Sequence, residues 1–292
     1  MKVSYQFGRI RRLVEWKPKR RPNTMNRNAV HMLRSVRRTI GDSFIITTED
    51  GKVIVIDGGS RKETGYFIAY LKAATGQKTP HIDAWFLSHP HDDHCNVFLD
   101  VVEHYGDLLS FDRVYADFAE EPSFYEGSDN WAVGVLTDYY RLLPRFADKA
   151  VKLKEGDVFN VGAARFTALY TFNPNWKEGN AASTVMRMDL GGKSVMFTGD
   201  ANVLPGNYVV EKYGESGLLQ CDICKMAHHG QDGVDKSFYE AVAPAVCLWP
   251  TPSWVWNNRG GKLKTPEVRG WIESLGVKEN HVAKDGSCVI LL

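Results

Sequence analysis

An apolar run passes directly into a dense group of polar side chains at Ala84-Trp85-Phe86-Leu87-Ser88-His89-Pro90-His91-Asp92-Asp93-His94. The apolar part is typical of a buried strand, and Pro90 prevents a helix or a strand ladder from continuing through the polar part. Three imidazoles and two carboxylates then fall within six positions. Neutral imidazole and carboxylate groups are good ligands for zinc and similar divalent metals. The stretch therefore predicts a metal site at the end of a buried strand.

The spacing of the histidines supports this interpretation. His89 and His91 are two positions apart, so that in extended backbone their side chains point the same way. Asp93 and His94 come at the start of a predicted helix that continues through Val102. The alternative is a polar loop with scattered surface histidines. Such a cluster without a cation would be costly at the end of a buried strand, which favours the metal site.

The length and composition indicate a globular protein. With 292 residues, the chain is long enough for one large domain or two small ones. No apolar run approaches the roughly 20 residues of a membrane span, and the basic N-terminus lacks the apolar segment of a secretory signal. The five cysteines are odd in number and scattered, which argues against a disulfide framework. We therefore expect a cytoplasmic protein with no membrane contact, and nothing in the sequence indicates its oligomeric state.

The net charge of +1 conceals an asymmetry along the chain. Residues 1–38 hold twelve of the 36 Lys and Arg but only one of the 35 acids, which leaves 24 bases and 34 acids in the remainder. One interpretation is that the basic N-terminus contacts nucleic acid or another polyanion. The other, which we favour, is that this basic arm lies on the acidic body or in solvent.

Predicted strands cluster in two halves of the chain, with helices between them. We expect an α/β fold, a single αββα domain over residues 1–292 in which two sheets pack face to face with helices outside. Residues 1–29 form its basic N-terminal extension, in which residues 3–7 alternate as a short strand would. At the other end, Asp285-Gly286 predicts a hairpin turn before a last strand over residues 288–291.

Three more predicted strands end in residues that can bind a metal or take part in catalysis. The strand over residues 52–56 ends in Asp57-Gly58-Gly59, and a predicted hairpin over residues 186–197 ends in Thr198-Gly199-Asp200. The apolar run over residues 218–227 opens into His228-His229-Gly230. Together with the first stretch, these motifs resemble the signature of the metallo-β-lactamase superfamily.

The resemblance implies two metal sites. His89 and His91 would bind metal one, Asp93 and His94 would bind metal two, and Asp92 would have no role. It also implies a bridging carboxylate for Asp200 and support of the ligands for Asp57. One of His228 and His229 would bind metal two. The place before Gly230 favours His229, and His228 would then face substrate or a supporting carboxylate. On spacing alone, Asp57 is equally well explained as a turn residue before two glycines.

The sequence departs from the superfamily pattern at one place. Many members have a further histidine between the first motif and the bridging aspartate, but the only one in that interval is His104, on the helix after the motif. In the expected place stands Asn180-Ala181-Ala182-Ser183. With residues 40–43, this N-x-x-S feature resembles the soluble lactamase-like domain of the ComEC family of DNA-uptake proteins and the teichoic-acid phosphorylcholine esterases. That resemblance covers about residues 30–250 and implies phosphodiester hydrolysis.

Two other signals each allow two interpretations. Cys221-Asp222-Ile223-Cys224 is either a structural zinc or redox pair, or two buried free thiols on opposite faces of an apolar strand, which we favour. The Trp-rich stretch over residues 249–256 is either a rigid loop that lines a substrate pocket or a lid packed on the core.

The sequence as a whole predicts a metal-dependent hydrolase with two zinc ions, for which manganese or iron could substitute. The metals would lower the pKa of a bound water. Asp93, Asn180, His228 and Asp57 would serve the reaction, and the substrate would be a small or polymeric phosphodiester. The alternatives are hydrolysis of another ester, a thioester or a lactam, and a non-catalytic module that binds metal or nucleic acid. A redox member that uses iron is disfavoured, because His91 stands where diiron members place a carboxylate.

Overall fold

The structure is a computed structural model that describes residues 23–36 and 39–292. The predicted strand over residues 3–7 and most of the predicted N-terminal extension lie outside these residues. No helix in the described ranges combines the length and the apolar character that crossing a bilayer requires.

The described residues form two seven-stranded sheets. The strands are β1 (Ala29–Met32), β2 (Ser43–Thr47), β3 (Val53–Asp57), β4 (His81–Phe86), β5 (Ser110–Ala116), β6 (Ala150–Lys152), β7 (Val158–Val161), β8 (Ala164–Tyr170), β9 (Val185–Leu190), β10 (Lys193–Phe197), β11 (Ile223–Lys225), β12 (Val246–Trp249), β13 (Glu279–Val282) and β14 (Cys288–Leu291). The first sheet has the order β14-β1-β2-β3-β4-β5-β6, and the second has the order β13-β12-β11-β10-β9-β8-β7.

Helices cover the outer face of each sheet. They are α1 (Thr64–Thr75), α2 (Asp92–His104), α3 (Asn130–Leu142), α4 (Val203–Tyr213), α5 (Lys236–Val242), α6 (Ser253–Trp256) and α7 (Thr265–Ser274). The apolar faces of α1, α2 and α3 are buried in one cluster with the first sheet. Those of α4, α5 and α7 are buried in another with the second sheet. The predicted αββα fold is therefore confirmed.

The alternation of side chains along a strand produces the layers. In β2, Phe44 and Ile46 pack between the two sheets, whereas Ile45 packs against the helices. In β4, Phe86 faces the other sheet, and Trp85 stacks on Phe67 of α1 with 5.3 Å between ring centroids. Strands that are buried on both faces read as continuous apolar runs, as the stretch before the histidine motif does.

The predicted hairpin at the end of the chain is wrong. β13 pairs in parallel with β12 in the second sheet, and β14 pairs antiparallel with β1 in the first sheet. A 3-10 turn over Ala283–Asp285 carries the chain from one sheet to the other. The Asp285-Gly286 dipeptide indicates a turn, but the partner of each strand is set by which sheet edge remains open.

Candidate metal centre

Strand ends of the first sheet bring the first group of polar residues together. β3 and β4 are parallel, so that Asp57 at the end of β3 and the segment from Ser88 to His94 after β4 lie at the same edge of the sheet. β2 runs antiparallel to β3, with Ser43 opposite Asp57, which places Asp42 at this edge as well. The α2 helix begins at Asp92 with His91 as its N-cap. The edge therefore collects residues from three separate segments.

The second sheet contributes the rest. β10 and β11 are parallel, and Asp200 and the His228-His229 pair follow their ends. The two sheet edges meet where the backbone N–H of Thr184 donates to the carbonyl of Ser88 at 2.9 Å. The residues at the strand ends of both sheets thereby face one another.

Four residues form the densest part of the centre. Asp42, His94, Asp200 and His229 are all buried, and each offers a ligand atom within 4.8 Å of the others. His94 Nε2 lies 3.2 Å from Asp200 Oδ1, and His229 Nε2 lies 3.1 Å from Asp200 Oδ2. Asp93 adjoins the group, with Oδ2 3.0 Å from His229 Nε2. We call this group the metal-two side.

Both histidines of the metal-two side have their outer nitrogen against a carboxylate. His94 Nδ1 lies 2.8 Å from Asp57 Oδ2, and His229 Nδ1 lies 2.9 Å from Asp42 Oδ1. Each contact leaves Nε2 as the nitrogen that faces the centre. Carboxylates behind ligating histidines fix the ring orientation in metal sites and raise ligand basicity. Asp57 makes the contact expected of a supporting carboxylate, and it also accepts from the backbone N–H of Ser88 at 2.8 Å.

The second pair, which we call the metal-one side, is His89 and His91. Their ring centroids are 4.5 Å apart, as two-residue spacing in extended backbone predicts. His89 is fully buried with Nδ1 3.0 Å from Ser88 Oγ, and its Nε2 has no hydrogen-bond partner among the described residues. His91 Nε2 lies 2.8 Å from Asp129 Oδ2. Nδ1 is therefore the ring nitrogen of His91 that remains for a metal.

Asp129 is a residue that the sequence analysis missed. It is the N-cap of α3 and accepts from the backbone N–H groups of Trp131 and Ala132 at 3.1 Å. A capping aspartate gives no sequence signal for a second contact with a histidine 38 residues away. Gly179 packs on both partners, where a Cβ would collide with His91 and Asp129.

The Asn180 to Ser183 segment lies beside the metal-one side. Asn180 follows Gly179 and opens a 3-10 turn over Asn180–Ala182, and its Oδ1 is buried without a hydrogen-bond partner among the described residues. Ser183 Oγ accepts from the backbone N–H of Asp200 at 3.0 Å and so holds that residue. The described part of the chain places no third imidazole here.

Lys225 is the second missed residue. It ends β11 with its side chain 1 % exposed, and Nζ lies 2.5 Å from Asp42 Oδ2 and 3.3 Å from Asp200 Oδ1. It also donates to the carbonyl of Gly199. Burial by itself would lower the pKa of Lys225, but the two carboxylates raise it above its ordinary value. The sequence did offer one indication of this role, because Lys225 lies inside the apolar run before the His228-His229 pair. A buried ammonium group requires polar partners.

The electrostatics of the centre leave some ligands ready for metal and others protonated. Burial would lower the pKa of His94 and His229, but Asp200 and Asp42 with their neighbours raise both pKa values well above the ordinary value, so that a metal would displace a proton from each ring. Burial would raise the pKa of Asp200, but His229, His94 and Lys225 hold that pKa well below its ordinary value. Burial lowers the pKa of His89 well below its ordinary value, so that this imidazole is neutral. Ionised carboxylates and neutral imidazoles are the states that bind divalent metals.

The two adjacent histidines occupy different places. Both have left-handed backbone, with φ of 47° at His228 and 55° at His229, a conformation that costs energy in non-glycine residues. His229 is buried within the metal-two side, whereas the side chain of His228 is 23 % exposed with Nε2 3.8 Å from Asp200 Oδ2. His228 Nδ1 lies 2.6 Å from the carbonyl of Asp232. His228 is therefore the more exposed of the pair and lies at the edge of the metal-two side.

The remaining predicted features lie elsewhere. His104 is at the far end of α2, 53 % exposed and 3.1 Å from Asp100. Cys221 and Cys224 are buried free thiols, but Cys221 precedes β11, so that the prediction of both in one strand is wrong. The predicted rigid loop after residue 249 contains a short helix, α6.

A divalent metal fits this donor set. The buried, unpartnered Nε2 of His89 and the inner nitrogens of His94 and His229 face a group of carboxylates that burial alone would make unstable. Imidazole with carboxylate suits zinc, iron and manganese.

Comparison with known proteins agrees with this arrangement. Residues 36–240, more than half of the chain, match the family model of the metallo-β-lactamase superfamily. No curated protein matches the chain in sequence. Among solved structures, the metallo-β-lactamase fold protein YhfI from Bacillus subtilis is 13 % identical with a TM-score of 0.54, and the alignment covers 90 % of this chain and 99 % of that one.

A second structure, the diiron β-hydroxylase CmlA from Streptomyces venezuelae, is 12 % identical with a TM-score of 0.57. That alignment covers 91 % of this chain and 54 % of CmlA. At such identities the likeness concerns the fold alone. The family match, the two-sheet architecture and the clustered imidazoles and carboxylates together show that the chain belongs to the metallo-β-lactamase superfamily.

Proposed function

We propose that the chain is a metal-dependent hydrolase that cleaves phosphodiesters, with zinc as its metal. The observation that carries the proposal is the fully buried imidazole of His89, whose Nε2 has no partner among the described residues although the ring centroids of His91 and His94 lie within 4.5 Å of its own. A buried ring nitrogen in that state requires a cation or a donor. Bound divalent metal would lower the pKa of a coordinated water and offset charge on a phosphoryl group.

The unequal sides of the centre support a phosphodiester over a lactam. The metal-one side has two imidazoles and, in place of a third, the amide of Asn180. This leaves room for the non-bridging oxygens of a tetrahedral phosphoryl group. Asn180 Nδ2 and the imidazole of His228 would donate hydrogen bonds to the charge that develops on those oxygens. A planar lactam carbonyl offers one oxygen and uses this arrangement less well.

The other side chains keep the reacting groups in place. Asp93 lies next to His229 with its side chain 15 % exposed, where it can orient an attacking water and accept its proton. Lys225 neutralises part of the charge of Asp42 and Asp200. Asp57 and Asp129 hold the rings of His94 and His91 through their outer nitrogens. The chain thus fixes its ligands before metal and substrate arrive.

A screen of activated substrates tests the proposal. Metal-replete protein should hydrolyse bis(p-nitrophenyl) phosphate, and this activity should vanish with chelator and return with zinc or manganese. Asn180→Ala should lower turnover by about 10²-fold, as the loss of an oxyanion donor does, while metal content stays unchanged. The exposed Asn175→Ala is the matched control. Cleavage of nitrocefin or a thioester without any phosphodiester would refute the substrate class.

A second proposal, that the basic N-terminus contacts nucleic acid, is the less favoured of the two interpretations of its charge, and a DNA-binding experiment decides between them. Thr24 Oγ1 lies 2.6 Å from His31 Nε2 and 2.8 Å from Thr47 Oγ1, so that a deletion should stop before residue 23. Removal of residues 1–22 should weaken DNA binding and flatten its salt dependence, because fewer counterions are released. If the intact protein binds no DNA at low salt, the proposal fails.

A further inference from the structure

A separate cleft adjoins the metal-two side. It has a volume of about 330 Å³, and its walls include Arg34, Ser35, Thr39, Trp254, Arg259 and Lys284. The first three residues come from the segment before β2, and the others from α6 and the two turns that follow α6 and β13. This volume is at the lower end for sites that hold small molecules. We call it the basic cleft.

Both walls of the basic cleft are tied to the metal-two side. Thr251 Oγ1 donates to the carbonyl of His229 at 2.5 Å, and Pro252, the next residue, lines the cleft. On the opposite wall, Ser35 Oγ donates to the carbonyl of Gly41 at 3.5 Å, one residue before Asp42. The two walls are therefore fixed to the backbone of the segments that carry Asp42 and His229.

The charge of the basic cleft is positive. Three of its lining residues are cationic, and none of its lining residues is acidic. Lys284 pairs with Asp285 at 2.6 Å, but Arg34 and Arg259 form no ion pair with a carboxylate of the described residues. Trp254 adds a flat wall, and its buried indole Nε1 has no acceptor among the described residues. The cleft thus presents two guanidinium groups that no described carboxylate neutralises.

We infer that the basic cleft binds a second phosphate group of the substrate, next to the phosphodiester that is cleaved. The inference rests on the proposed function and narrows its substrate class to compounds with two neighbouring phosphates. Guanidinium groups bind phosphate oxygens in pairs of parallel hydrogen bonds, and they keep their charge at any physiological pH. A neutral or cationic substituent would supply no negative charge to either guanidinium group.

Three chromogenic substrates with the same leaving group provide the test. All are thymidine 5′-(p-nitrophenyl phosphate), with a free 3′-hydroxyl, a 3′-phosphate or a 3′-(methyl phosphate). The wild-type protein with zinc should have a KM about tenfold lower for the 3′-phosphate than for the 3′-hydroxyl. If the 3′-(methyl phosphate) lowers KM to a similar extent, the second phosphate can come from a polymer backbone. If the methyl ester does not lower KM, the cleft accepts only a terminal phosphate.

Substitutions locate the effect. Arg259→Gln and Arg34→Gln should each reduce the tenfold difference to about twofold and leave the KM of the 3′-hydroxyl substrate unchanged. Arg165→Gln, an exposed arginine on β8, should keep the full difference. Equal KM values for the substrates in the wild-type protein, or equal effects of Arg259→Gln and Arg165→Gln, would overturn the inference.

A binding experiment separates this inference from the proposed function. Calorimetric titration of chelator-treated full-length protein should show thymidine 3′-phosphate binding at least fivefold more tightly than thymidine. Arg259→Gln should abolish the difference. If that binding is seen while none of the three substrates is cleaved, the phosphodiesterase proposal fails and the phosphate site stands. If cleavage occurs without a preference in KM or in binding, the cleft assignment fails alone.

Discussion

The metal-two side and the metal-one side are built very differently, although the stretch from Ser88 to His94 supplies histidines to both. The metal-two side draws His94, Asp200, His229 and Asp42 from four segments, and each imidazole has a carboxylate behind it. The metal-one side has His89 and His91 from a single segment, with a hydroxyl behind one ring and a carboxylate behind the other. We therefore expect unequal affinity, with the metal-two side binding its ion more tightly.

The largest expected effect comes from Asp200, which belongs to the metal-two side and also acts through its charge on His89 of the metal-one side. Asp200→Ala removes a carboxylate that contacts both His94 and His229, and we expect loss of both ions. His94→Ala should likewise lose metal, whereas His104→Ala on the exposed end of α2 should retain the wild-type content. Elemental analysis of protein purified without chelator measures this. Full metal content in both ligand variants would show that the centre is wrongly assigned.

The next prediction separates the two sides directly. His89→Ala should remove one ion and leave the other, because the metal-two side keeps all its ligands. His229→Ala should remove the tightly held ion instead. Zinc titration with a competing chelator should give one remaining site in His89→Ala with affinity close to that of the tight wild-type site. Equal loss in the two variants would mean that the sides bind as one unit.

Lys225 provides a third way to test the metal-two side. Lys225→Met leaves Asp42 and Asp200 without their ammonium, and breaking a buried ion pair costs about 3–5 kcal/mol of unfolding free energy. The cost should shrink when zinc is present, because the cation offsets the same carboxylates. Urea unfolding with chelator and with zinc measures both values. The control is Lys236→Met in an exposed pair with Glu240, where we expect a change within about 1 kcal/mol.

The smallest expected effect concerns support of the ligands. Asp57 has left-handed backbone with φ of 56°, which asparagine tolerates, so that Asp57→Asn changes the group behind His94 without straining the turn. Affinity at the metal-two side should fall by about 10–100-fold, the usual cost of losing such support. Affinity at the metal-one side should fall less, because Asp57 reaches His89 only through the Ser88 hydroxyl, which donates to Asp57 Oδ2 at 2.8 Å. An equal fall at both sides would point to general disruption of the site.

The parts of the site that depend on neighbours along the chain could be predicted from the sequence. His89, His91, Asp93 and His94 are within six positions, and the backbone between a buried strand and a helix start is enough to group them. Asp42, Lys225 and Asp129 were not assigned, because their partners are 38 to 187 residues away in the chain. The type and position of a single charged residue do not indicate a contact with a residue so far away in the chain.

The amino-acid sequence by itself determined the layered α/β architecture and the ends of the strands at which ligands stand, because period-2 burial and turn chemistry are local properties. Only the tertiary structure decided that β13 and β14 belong to different sheets and that His229, not His228, enters the metal-two side. It also decided that Arg34 and Arg259 share one cleft. These outcomes depend on which strand edges and loops meet in space, and the free energy that selects them comes from packing between distant segments.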